Sequence, residues 1–175
     1  PEIEAFLLRT SILEFFSDDL CDAVVQLESG SSNAIIEKLV KTNSFIISTE
    51  PSHRWFRYHH LFRDLLRHRL EQQSKDALEA LHLRAGLWLK TNGFGQEAIY
   101  HLFKANAFEQ VAALIECKWA EMDMQLQSAS WLDMAKKLPP DILERSPILT
   151  MGFGWALLNM GNVKACTEWF DKALR

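Results

Sequence analysis

Trp55-Phe56-Arg57-Tyr58-His59-His60-Leu61-Phe62-Arg63-Asp64-Leu65-Leu66-Arg67-His68-Arg69-Leu70 changes period at His59. Before that residue aromatic and basic side chains alternate, as along a half-buried strand. After it, Leu61, Phe62, Leu65, Leu66 and Leu70 recur about four apart, as on one side of a helix. Two histidines therefore stand at a strand-to-helix junction. Helix starts carry free backbone N–H groups and the positive end of the peptide dipole, so such a junction suits an anion. Arg54, Arg57, Arg63, Arg67 and Arg69 face only Asp64 as local acid, a basic island in a chain of net charge −4. A phosphate-facing site is the sharp reading of that contrast.

Toward the N-terminus, Leu8, Ile12, Leu13 and Phe16 mark a helix over Glu4 to Phe16. Ser17, followed by Asp18 and Asp19, reads as the N-cap of a second helix over Leu20 to Leu27. Gly30 and Ser31-Ser32 punctuate the chain, and Ile35, Ile36, Leu39 and Val40 mark a third helix ending near Asn43. Phe45-Ile46-Ile47 reads as a strand, Glu50 to His53 as a turn and Trp55 to Tyr58 as the returning strand. Three helices, a hairpin and a following helix are the parts of a winged-helix domain, placed at residues 1–73 with the hairpin as its wing. Direct DNA reading through the third helix is disfavoured. That helix offers only Lys38 and Lys41 beside Glu37, without arginines or amide side chains to read base edges.

Residues 74–175 read as helical throughout, with Pro and Gly only between segments. Gly86-Leu87-Trp88-Leu89 with Gly93, Ala98, Leu102 and Ala105 aligns, offset for offset, on Gly154-Trp155-Ala156-Leu157 with Gly161, Cys166, Phe170 and Ala173. This series of small and bulky residues is tetratricopeptide-like, and the two copies are separated by twice its period of about 34 residues. The intervening stretch matches poorly: Ala120 takes the glycine slot, and Pro139-Pro140 reads as an interhelix break. The expected fold is thus mainly α, a winged-helix domain followed by a tetratricopeptide-like repeat array.

The acidic balance excludes a chain-wide nucleic-acid footprint. A 48% hydrophobic content is that of a packed soluble domain, and no segment has the length and apolarity of a membrane span. Cys21, Cys117 and Cys166 are scattered and odd in number, as for reduced thiols in a cytoplasm. His53, His59, His60 and His68 lack zinc-site spacing. Trp88, Trp119, Trp131, Trp155 and Trp169 read chiefly as core between stacked helices. Pro1 in place of an initiator methionine, and a last helix that stops while still amphipathic, read as a fragment of a longer protein.

Phe6-Leu7-Leu8-Arg9-Thr10-Ser11-Ile12-Leu13, Leu20-Cys21-Asp22-Ala23-Val24, the run from Trp55 to Leu66, and Gly93-Phe94 with Glu97-Ala98-Ile99 and His101 together resemble the large ATP-dependent LuxR-type transcriptional activators, the MalT-like family. The resemblance spans nearly the whole chain. It implies, in order, a P-loop ATPase module, a winged helix, a helical-repeat sensor region and a C-terminal helix-turn-helix that binds promoter DNA. The 175 residues hold no GxxxxGK[ST] loop, so the fragment alone is expected neither to bind or hydrolyse ATP nor to recognise a promoter.

In the family so resembled, a winged-helix histidine reaches the phosphates of ADP on the neighbouring module and holds the resting state. His59 matches that position best, with His60 and Arg63 as second candidates. An imidazole N–H donates one directed hydrogen bond that can break without stranding a buried charge. The plain readings compete with this. A junction histidine can simply be structural, Arg67 and Arg69 read as a solvated helix face, and Asp64 with His68 as an i,i+4 pair. The implied partners are the upstream ATPase module, a small-molecule or protein effector on the repeats, and a second copy in self-association. The competing function is a tetratricopeptide-like interaction adaptor with no nucleotide role.

Overall fold

The structure, a computed structural model, describes residues 2–42, 45–49, 54–72, 74–124 and 127–174. The expected turn at Glu50 to His53, and Asn43 and Gln73, lie outside the described residues. Within them the chain is mainly helical, with a two-stranded antiparallel hairpin. It divides into two compact units, Pro1–Asn106 and Ala107–Arg175.

In the first unit, helix α1 (Glu2–Thr10) is shorter than the periodicity predicts. The hydroxyls of Thr10 and Ser11 donate to the carbonyls of Phe6 (2.8 Å) and Leu8 (2.6 Å), local bonds that compete with helix continuation. The chain then runs out to Phe16, whose N–H and C=O exchange hydrogen bonds with Phe56 at 2.8 and 2.9 Å. A one-residue third lane thus joins the hairpin. Helix α2 (Asp18–Val25) begins as expected, with Ser17 Oγ accepting from the Leu20 N–H at 3.2 Å. Helix α3 (Ser31–Lys41) follows the left-handed Gly30, where φ of 84° favours a residue without a Cβ.

Strands β1 (Ile46–Ser48) and β2 (Phe56–Tyr58) pair in register Ile46 to Tyr58 and Ser48 to Phe56. In β2 the alternation is clean: Phe56 and Tyr58 are buried and Arg57 is exposed. Phe16, Phe56 and Tyr58 pack ring to ring beneath the hairpin, joining a core of Phe6, Leu13, Leu20, Val24 and Ile36. Helix α4 (His60–Glu71) lies against α1.

Helices α5 (Lys75–Thr91) and α6 (Gly95–Lys104) form an antiparallel pair within this same unit. The compact unit therefore reaches Asn106, past the winged-helix limit placed at 73, because α5 packs on α2. Arg84 of α5 closes the C-terminus of α2, its Nε donating to Val24 O at 2.7 Å and its Nη1 to Gln26 Oε1 at 3.2 Å.

The second unit holds α7 (Phe108–Met124), α8 (Ser128–Ala135), α9 (Pro140–Arg145), α10 (Pro147–Asn159) and α11 (Val163–Ala173). Pro139 and Pro140 stand at the start of α9, a break as the sequence indicates. The aligned copies are both helix pairs with the same close approach. A Cβ on Gly86 would fall 2.7 Å from Leu102 Cγ, and one on Gly154 would fall 2.7 Å from Phe170 Cε1. Trp131 is fully buried, while Trp155 is an exception to the expected packing role, at 43% exposure.

Candidate functional site

Tyr58 anchors the junction. Its hydroxyl is 2.7 Å from Thr10 Oγ1, and because Thr10 donates its own proton to Phe6 O, Tyr58 is the donor of that pair. Burial pushes the Tyr58 phenol well above its ordinary range, so it stays a protonated, structural group. The next residue, His59, gives its backbone N–H to Phe45 O at 2.7 Å and its carbonyl to the N–H of Arg63 at 3.0 Å. Phe45 stacks on Phe62 (centroids 5.0 Å), which meets Tyr58 edge-on at 6.0 Å. The backbone of the junction is thereby held from both sides.

Its imidazoles are not consumed in holding it. His59 is the N-cap residue of α4 by position, with φ −58° and ψ 134°, yet its side chain makes no capping hydrogen bond. The His59 ring lies half-buried against exposed His60, centroids 4.4 Å apart. The structure thus brings two of the three singled-out residues together. Arg63, one turn on, is turned to other partners: Nη1 is 4.0 Å from Glu14 and Nε 3.9 Å from Asp64. Its side chain is 21% exposed, and Nε is buried with no hydrogen-bond partner among the described residues.

The arginine face needs a correction. Arg67 is not simply solvated: Nε donates to Ser11 O at 3.0 Å and Nη2 to Ile12 O at 2.7 Å, tying the segment after α1 to α4. Those carbonyls are freed because α1 stops at Thr10, an end that the apolar periodicity hides. Arg69 does remain on the exposed face, 4.0 Å from Glu4. His68 meets Gln72 Nε2 at 3.2 Å rather than the expected Asp64.

One titratable pair leaves no mark in the sequence pattern because its members are 19 residues apart on two helices. His82 of α5 and His101 of α6 are both buried, their Nδ1 atoms 2.9 Å apart. Only one of those nitrogens can carry the proton, so the two neutral rings adopt opposite tautomers. Burial holds both well below the ordinary histidine value. For His82 the charges of Arg67 and Lys104 act in the same direction, and for His101 those of His82 and Arg67 do. The unfolded chain therefore binds more protons than the folded one below about pH 6.5. Stability should be flat above that pH and fall below it, by on the order of 4 kcal/mol at about pH 5, about half of it from each ring. Urea midpoints at pH 7.5 and 5.0 check this. His82→Gln should flatten the dependence, and equal slopes for the two proteins would contradict it.

Among the described residues no cluster of three or more His, Cys, Asp or Glu could hold a metal ion. None of the described helices is long and apolar enough to cross a membrane.

A winged helix with a braced histidine junction and the α5–α6 pair packed on it in one unit is the class this architecture defines. The chain is MalT-like: residues 1–78 match the MalT winged helix domain family. It is 34% identical over 160 residues to the HTH-type transcriptional regulator MalT of Vibrio parahaemolyticus, which covers 88% of this chain. Identity to the Vibrio campbellii MalT is 32% over the same length. It is also 30% identical over 156 residues, 89% of the chain, to the serine/threonine-protein kinase PknK of Mycobacterium tuberculosis. The chain spans only 17% of the length of the Vibrio regulators and 14% of the kinase.

Proposed function

We propose that this chain is the central part of an ATP-dependent transcription regulator acting in the cytoplasm. Its winged helix contacts nucleotide on an upstream ATPase module and couples that contact to a tetratricopeptide-like sensor region. One observation carries the reading. His59 sits at the start of α4 with its backbone bonded on both sides and its ring free of any capping bond. A rigid backbone with an uncommitted donor is what a reversible phosphate contact requires. His60, stacked beside it, is the second candidate, and Arg63 the third. The relatives named as transcription regulators support the setting, and promoter recognition would fall to a further domain.

In the full-length regulator, His59→Ala should lower retained ADP and raise basal transcription, with little change in thermal stability because the ring makes no capping bond. Co-purified nucleotide and reporter output measure the two. Unchanged values for both would sink the nucleotide role and leave the interaction adaptor. That second reading draws on one specific feature, the exposed apolar stripe of Ile148, Met151, Trp155 and Leu158 on α10.

A further inference from the structure

Within the first unit, a cleft of about 630 Å³ opens between the winged helix and the α5–α6 pair. This is the size range of small-molecule sites. One wall comes from the Ile12–Phe15 segment, Trp55 and α4, and the other from Leu89, Phe94 and Tyr100. Trp55 meets Phe94 edge-on at 5.1 Å where the two walls touch, and Phe94 in turn stacks on Trp88, so this end of the cleft is aromatic and braced. Phe15 and Tyr100 stand 48% and 47% exposed at the opening, large apolar surfaces left to water.

Two arginines line the cleft, and their bonding differs. Arg67 is spent on the carbonyls of Ser11 and Ile12. Arg63 is only loosely engaged: its two acidic neighbours stand at 3.9 and 4.0 Å, beyond hydrogen-bond length, and its buried Nε has no acceptor among the described residues. A buried donor without an acceptor is costly, and a guanidinium is shaped to take a carboxylate by two parallel bonds. Glu14 and Glu97 also line the cleft and would repel a ligand carrying several negative charges. We propose that this cleft binds a small planar aromatic molecule bearing one anionic group, its ring among Trp55, Phe94 and Tyr100 and its anion on Arg63. Such a ligand touches both the winged helix and the first helix pair, and so would regulate how firmly α4 is held to α5–α6. Neither His59 nor His60 lines this cleft, so the two leading candidates of the nucleotide contact lie apart from it; Arg63, the third, is shared, and the response to ADP separates the two roles.

The 175-residue chain itself can be tested with 1-naphthaleneacetate and its uncharged amide, following 5-fluorotryptophan resonances by ¹⁹F NMR with Trp55 assigned through Trp55→Phe. The carboxylate should bind saturably, shift the Trp55 signal and bind about tenfold more tightly than the amide. Arg63→Gln should abolish that preference while leaving amide binding intact, and Gln96→Trp, at the exposed rim, should block both ligands. ADP should leave Trp55 unmoved. The proposal is overturned by absence of saturable binding, by equal affinity for acid and amide, or by insensitivity to the rim substitution. A Trp55 shift with ADP that is lost in Arg63→Gln would instead make the cleft a phosphate site. The acid-against-amide comparison needs no variant, so poor folding of Arg63→Gln leaves the test decisive.

Discussion

Asp22→Ala should destabilise the first unit by roughly 3 kcal/mol, lowering its Tm by about 10 to 20 °C. Asp22 is an α2 residue at 6% exposure, buried beneath the loop to α3. One carboxylate oxygen accepts from the Gly30 N–H at 2.6 Å and the other from the Ser32 N–H at 2.9 Å. These two charge-assisted bonds satisfy donors at the beginning of α3, where Gly30 itself offers no capping side chain. Removing the carboxylate leaves Ser32, fully buried, with an N–H that water cannot reach, beside a hydroxyl that already lacks a partner among the described residues. Asp22→Asn keeps one acceptor but turns an NH₂ toward the other N–H, so it should recover less than half of the loss. Thermal denaturation with amide exchange at Gly30 and Ser32 checks both. A loss under about 1 kcal/mol, within the range of an ordinary surface change, would show that the loop is held by packing instead.

Asp22 also marks the limit of what the sequence shows. Ser17 was legible as a cap because its acceptor role lies three residues away, at Leu20. Asp22 acts across eight and ten residues, on loop donors that have no periodicity. The same distinction runs through the winged helix. The hairpin and the junction at His59 were legible from the switch in period, whereas the Phe16 lane was not. One extended residue carries no alternation, and Phe16 also fits the helical spacing of Leu8, Ile12 and Leu13.

The two close-packed helix pairs were legible because close helix approach demands small residues at fixed offsets, and Gly86 against Leu102 meets that demand as Gly154 against Phe170 does. Of the candidate residues, the switch in period located the junction at His59 and His60, whose ring centroids lie 4.4 Å apart, and the family resemblance singled them out. The cleft beside Arg63 was not readable, since Glu14, Trp55 and Tyr100 become neighbours only when the Ile12–Phe15 segment leaves α1 and the α5–α6 pair folds back on the same unit. Arg67 shows the converse error: spacing placed it on a solvated face, but the ends of other helices decide which carbonyls need a donor.

Trp131→Ala should cost the second unit about 4 kcal/mol, the middle of the range for core aromatic truncation. Trp131 is completely buried in α8, its ring edge-on to Trp119 at 4.7 Å and its indole N–H donating to Ile115 O of α7 at 3.0 Å. The ring also fills the space left by Gly152 of α10: a Cβ there would lie 2.9 Å from Trp131 Cη2 and 3.1 Å from Trp119 Cδ2. One side chain thus joins α7, α8 and α10. A unit of this size has a total stability of only about 3 to 10 kcal/mol, so the substitution removes much of it. Hydrogen exchange of the α10 amides should approach unprotected rates.

Trp131→Phe should cost roughly half as much, losing the indole bond and the outer ring atoms. Those are also the atoms nearest the absent Gly152 side chain. Gly152→Ala should therefore be destabilising alone, by about 1 to 3 kcal/mol, and distinctly less so in the Trp131→Phe background. A double-mutant cycle by chemical denaturation measures the coupling. Strict additivity would mean that Trp119, and not Trp131, sets the closeness of α10, and the predicted role of Trp131 as the shared spacer of the three helices would fail.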